Sequence, residues 1–144
     1  MRLPAALLAA TLASAAHAAE FRSVGEAPAV LYDAPSQKAD RLFVASRGYP
    51  FEVLVRLEQW TKIRDAGGAV AWIENRLLGE RRTALVSVPV ADVREAPDAQ
   101  SPLVFEANRQ VILEVLEPAA DGWVKVRHRD GQQGYARAVH LWGV

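Results

Sequence analysis

Two tryptophans, Trp60 and Trp123, are the side chains best suited to recognition chemistry in this chain. Each opens the same phrase, Trp-x-Lys-[Ile/Val]-Arg, at 60–64 and 123–127. An indole offers a large apolar face and one N–H donor, which suits stacking on a sugar or clamping a peptide. Either Trp could instead pack over the edge of its own domain or in a seam between domains. Catalysis has little to build on. There is no cysteine, which excludes thiolate nucleophiles, disulfides and Cys-ligated zinc. No G-x-S-x-G phrase holds a serine nucleophile. His128 and His140 lack an HxxxH or HxH partner, so no metal and no cofactor is expected. Glu114 and Glu117 read as a solvated strand face. Arg81-Arg82 could meet an acidic partner or a phosphate, though a surface salt bridge accounts for it more simply.

The elements that must position these residues are written twice. At a shift of 62, Ala29, Ala34, Pro35, Phe43, Ala45, Arg47, Glu52, Val53 and Leu54 meet identical residues from Ala91 to Leu116. One extra residue then enters, and at a shift of 63 Trp60, Lys62, Arg64, Gly68 and Leu78 meet Trp123, Lys125, Arg127, Gly131 and Leu141. Trp72 meets Tyr135. An internal repeat of this length outranks local propensity as a guide to architecture.

Short apolar stretches with period-two alternation recur in both copies, bounded by Gly, Pro, Asp and Asn, which marks an all-β chain. Strands are predicted over 29–33, 42–45, 50–58, 60–65 and 69–73, then over 90–95, 103–106, 110–117, 122–128 and 133–137. Phe51, Val53, Val55 and Leu57 should share one face. Val124 and Val126 should face away from Trp123. Gly67-Gly68 and Asp130-Gly131 mark hairpin tips. Residues 74–77 and 137–140 read as one short helical turn before a last strand. Trp72 and Tyr135 read as core residues, and Trp142 as packing between domains or at the end of the chain.

The ends and the composition set the context. Met1-Arg2, an uncharged Ala/Leu-rich run over 3–16 and Ala16-His17-Ala18 form the pattern of a secretory signal peptide cleaved after Ala18. The expected location is therefore the periplasm, with no membrane span in the mature chain. Seventeen basic and seventeen acidic side chains leave the protein neutral, unlike the basic stripe of a nucleic-acid binder. Each half is near the size at which a lone core becomes marginal, so the two halves should pack together. The connection is not Gly/Ser-rich, and its Thr83–Val88 section reads as a strand.

The repeated set resembles the bacterial SH3-like family, closest to small exported tandem proteins of Gram-negative bacteria. Three phrases per copy carry the likeness: Asp33-Ala34-Pro35 or Glu95-Ala96-Pro97; the Trp-x-Lys phrase; and Ala71-Trp72-Ile73 or Gly134-Tyr135-Ala136. The resemblance implies two tandem SH3-like small β-barrels, each a partly open five-stranded barrel, without catalytic machinery. The expected division is signal peptide 1–18, first domain 19–80, ordered link 81–88 and second domain 89–144. By resemblance Trp60 and Trp123 match a groove Trp. Tyr32 and Asp33 would flank Trp60, where Leu31-Tyr32-Asp33 is similar to the opening phrase of peptide-binding SH3 domains. The second copy has Val93-Arg94-Glu95 and lacks that aromatic. Peptide-binding relatives also place a Pro and a Tyr in the helical turn, where this chain has Glu74 and Leu77 or Arg137 and His140, so a Pro-rich ligand is not expected. The implied role is recognition of peptidoglycan or an envelope protein or peptide. The alternative is a structural adaptor that docks a partner through a sheet edge.

Overall fold

The computed structural model describes residues 18–144; all of the expected signal peptide except Ala18 lies outside them. Strand β1 (Phe21–Val24) is followed by β2 (Ala29–Tyr32), β3 (Arg41–Ala45), β4 (Pro50–Arg56), β5 (Trp60–Arg64), β6 (Val70–Glu74) and β7 (Leu78–Gly79), with a 3-10 turn at Asn75–Leu77. The second copy repeats the series as β8 (Thr83–Val86), β9 (Val90–Arg94), β10 (Leu103–Asn108), β11 (Ile112–Val115), β12 (Trp123–Arg127), β13 (Gln133–Arg137) and β14 (Leu141–Trp142), with its turn at Ala138–His140. The two sheets have the same order, β3-β2-β6-β5-β4-β1-β7 and β10-β9-β13-β12-β11-β8-β14.

These are two SH3-like units in tandem, but each sheet has seven strands rather than five, and neither closes into a barrel. The two further strands, β1 and β7 in the first unit, extend the ladder beyond β4. Among the described residues the opposite end, β3, pairs only with β2. No ladder joins β3 to β7, so the sheet ends in two edges.

Alternation along the strands builds one core per unit. The first gathers Val24, Leu31, Phe51, Ile63 and Ile73. The second gathers Val86, Val93, Leu113, Val126 and Ala136 at the matching positions. Most of its members are smaller, so its backbones must approach more closely. Gly134 shows how closely: a Cβ there would lie 2.5 Å from the Arg94 carbonyl oxygen, whereas the first copy holds Ala71 at this position.

One expected face does not survive. Val53 pairs with Ile63, but Val55 pairs with Lys62, because a bulge inserts Leu54 between them. The extra residue turns the rest of β4 over. Val55 and Leu57 are exposed, while Phe51 is fully buried.

The connection is structural. All four residues of β8 are buried, since the strand lies within the second sheet and against the first unit. A strand covered on both faces reads as a continuous apolar run rather than an alternating one, as Thr-Ala-Leu-Val does. Ala84 and Val86 enter the second core. On the other face the Thr83 hydroxyl donates to the Gly48 carbonyl at 2.6 Å. The Ser23 hydroxyl donates to the Arg81 carbonyl at 2.5 Å. Phe21 meets the Trp142 ring edge-on, with centroids 5.1 Å apart. Trp142 thus joins the two units.

Two outcomes follow. Gly134→Ala should lower the unfolding free energy by about 1–3 kcal/mol, the usual cost of overpacking, read from denaturant melts. Tyr49, beside Phe51, has its phenol pushed up from the ordinary value of 10.0, mainly by burial. Its neutral form is favoured by folding, so this contribution is complete below the unfolded value and declines as pH rises above it. Melting temperature should fall above pH 10, and Tyr49→Phe should flatten that decline.

Candidate functional site

The hairpin of β5 and β6 sets the outer face of the first unit. Thr61 and Ile63 turn inward, so Trp60, Lys62 and Arg64 turn outward. Ala71 and Ile73 turn inward, so Trp72 turns outward as well. The register places Trp60 opposite Glu74 and Lys62 opposite Trp72. On the far side of β6, Tyr32 stands opposite Trp72. Tyr32 also meets Trp60 edge-on, with ring centroids 5.5 Å apart and planes at 86°. Lys62 Nζ lies 5.9 Å from the Trp72 ring centroid. Tyr32, Trp60 and Trp72 therefore lie on one face of three adjacent strands, an aromatic strip in which Tyr32 is buried at 8% exposure behind the two indoles. Trp60 and Trp72 stay half-buried, each with part of its surface in water.

Polar groups frame the strip. Glu74 is 8% exposed and both of its oxygens are engaged: Gln37 Nε2 donates to one at 2.7 Å and Arg76 Nε to the other at 2.5 Å. Gln37 belongs to the loop between β2 and β3, so this bond holds the loop beside the strip. Asp33 is exposed, and its carboxylate accepts the Asp40 N–H at 3.1 Å, which closes the base of the same loop. Asp33 thus shapes the loop next to Tyr32 and still presents charge to solvent.

The second unit repeats the geometry with different chemistry. Trp123 is again half-buried and outward, opposite Arg137 in the register. The Arg137 guanidinium lies over the indole, 4.7 Å from its centroid. Arg94 takes the place of Tyr32 and is held by Asp92 and the Ser101 carbonyl, each at 2.8 Å. A face with aromatic neighbours in the first copy is covered by cationic groups in the second. A guanidinium over an indole contributes about 0.5–1 kcal/mol at an exposed site, so a ligand must displace it before stacking on Trp123.

The structure therefore brings Tyr32 and Trp60 together, leaves Asp33 at the loop beside them, and sets Trp123 apart under its own cap. Trp72 and Tyr135 lie on the outer faces, not in the cores where the sequence placed them. Their neighbours carried the signal: the inward pairs Ala71/Ile73 and Gly134/Ala136 give the intervening aromatic the opposite parity. Glu74 was also missed, since its importance comes from being opposite Trp60. His128 Nδ1 lies 3.1 Å from Asp130, whose carboxyl is held below the ordinary range chiefly by the Gln132 N–H. Among the described residues, no cluster of three or more His, Cys, Asp or Glu could hold a metal ion.

Comparison with protein families gives the class. A bacterial SH3 domain matches twice, over residues 25–80 and 87–143. The chain belongs to the bacterial SH3 domain family, with two copies in tandem. Comparison with curated proteins gives no match. Among solved structures it is similar to NlpC2 of Trichomonas vaginalis, at 16% identity and a TM-score of 0.40, over 87% of this chain and 48% of that one. It is also similar to an NlpC/P60 family protein of Bacillus cereus, at 15% identity and a TM-score of 0.40, over 85% and 56%. This chain spans about half the length of those proteins, and a likeness at that level leaves activity open.

The Gln37–Glu74 bond has a measurable consequence. Gln37→Ala should raise amide exchange across residues 33–40 about fivefold, the equivalent of one net hydrogen bond of about 1 kcal/mol, with the rest of the sheet unchanged.

Proposed function

We propose that this protein is a non-catalytic recognition module of the bacterial periplasm, and that its first unit binds peptidoglycan through Trp60 and Trp72, with the buried Tyr32 holding Trp60 in place. The observation that carries this reading is the pair of half-buried indoles, Trp60 and Trp72, on an outer sheet face, neither of which lines the clefts beside the connection. Aromatic faces take the apolar C–H face of a sugar ring, while the indole N–H and nearby carboxylates take its hydroxyls or a peptide amide. Membership of the bacterial SH3 family agrees with a binding role, although such small folds host many sites and the fold alone assigns none. The second unit supports the first through β8, and its Trp123 is the weaker contact because Arg137 covers it.

A second reading has its own observation. Edge strand β3 exposes Leu42 and Val44, 48% and 64% accessible, beside an unpaired backbone. An extended peptide could add there as a further strand, making the protein an adaptor for an envelope partner.

Co-sedimentation with isolated peptidoglycan sacculi separates the two. Trp60→Ala, shown to be folded by its melting curve, should weaken pelleting about tenfold, consistent with loss of a central aromatic anchor. Trp123→Ala should change it much less. Absence of pelleting by the unmodified protein would refute wall binding and favour the edge. In that case Val44→Lys should abolish capture of the protein partner.

A further inference from the structure

We propose that the seam between the two units is a binding site for an extended acidic peptide, distinct from the aromatic strip and independent of what the strip binds. Two clefts, of ≈ 640 and ≈ 790 Å³, share Arg47, Gly48 and Arg81; the smaller is formed by the first unit and the connection, the larger by both units. Because they share these residues the two clefts adjoin, which offers room for a chain rather than a single small ion. The larger cleft is lined by Arg47, Arg81, Arg127, Arg129 and His128, with Glu114 as its one carboxylate, while Glu26 and Glu80 line the smaller. The protein as a whole is neutral, so this concentration of positive charge is local. It comes from both copies: Arg47 from the first, Arg81 from the connection, Arg127 and Arg129 from a hairpin of the second. No single unit contains it.

The arginines remain available. The side chains of Arg47, Arg81 and Arg127 are 57%, 54% and 44% exposed. Arg47 pairs with Glu26 of the smaller cleft at 2.9 Å. Arg129 forms no ion pair among the described residues. Glu114 shows how the groove receives a carboxylate. One of its oxygens accepts from Arg127 Nε and Nη2 at 3.2 and 2.8 Å, and the other lies 3.8 Å from Arg81. One carboxylate thus sits between two guanidiniums, leaving excess positive charge in the larger cleft. Planar guanidinium forks match further carboxylates well. Exposed charges of this kind steer and orient a partner more than they tighten it.

The test is fluorescence anisotropy of a labelled oligoglutamate with the whole protein, in low and physiological salt. Saturable binding that weakens with salt is expected. The double variant R81Q/R129Q should weaken it by about tenfold or more, while R109Q, an equal loss of charge per site on a residue outside both clefts, should leave it nearly unchanged. Melting curves confirm that each variant is folded. No binding at low salt, or equal weakening by R109Q, would overturn the proposal. So would binding to phosphatidylglycerol vesicles or inorganic phosphate without binding to oligoglutamate, since the groove would then be reading phosphate.

Discussion

The register of one hairpin governs the candidate site. Pairing Thr61 with Ile73 and Ile63 with Ala71 sends those side chains into the core. Trp60, Lys62, Trp72 and Glu74 then have no face left but the outer one. A one-residue slip of β5 would bury Trp60 and Lys62 and expose Ile63, which the hydrophobic effect opposes. The core therefore positions the aromatic strip without touching it. The same constraint acts on β12 and β13, where Val124 and Val126 turn inward and leave Trp123 facing Arg137.

Duplication has preserved this constraint and let the outer faces diverge. Residues that fill the cores differ mainly in size, as Phe51 and Leu113 do. Residues on the outer faces differ in kind: Tyr32 against Arg94, Glu74 against Arg137. An inward substitution must still fill a fixed volume, whereas an outward one meets water and is limited only by its neighbours. The second unit also contributes β8, a strand buried on both sides, whose Thr83 hydroxyl ties it to Gly48 of the first. That strand joins the two units, and the arginine-lined cleft between them lies beside it.

Much of this was legible in the sequence. The paired phrases revealed the tandem, and alternation located the principal strands of both copies. The inward setting of Val124 and Val126 followed from simple parity. Strand β1 was not legible, because Phe-Arg-Ser-Val shares little with its counterpart Thr-Ala-Leu-Val: one keeps two partly exposed residues and the other is buried throughout. The bulge at Leu54 was hidden, since an inserted residue leaves no mark on composition. Open sheets in place of barrels depended on which edges fail to meet, a long-range matter. At the site, Trp60 and Tyr32 could be named from their phrases, but Trp72 needed the register and the Arg137 cap needed the fold.

The most direct test of a ligand-reading first unit is residue-resolved NMR during titration with soluble muropeptides. The account predicts saturating shifts at the Trp60 indole, Tyr32 and Trp72, with the Trp123 indole nearly still. Shifts confined to β3, or none at saturating ligand, would contradict it.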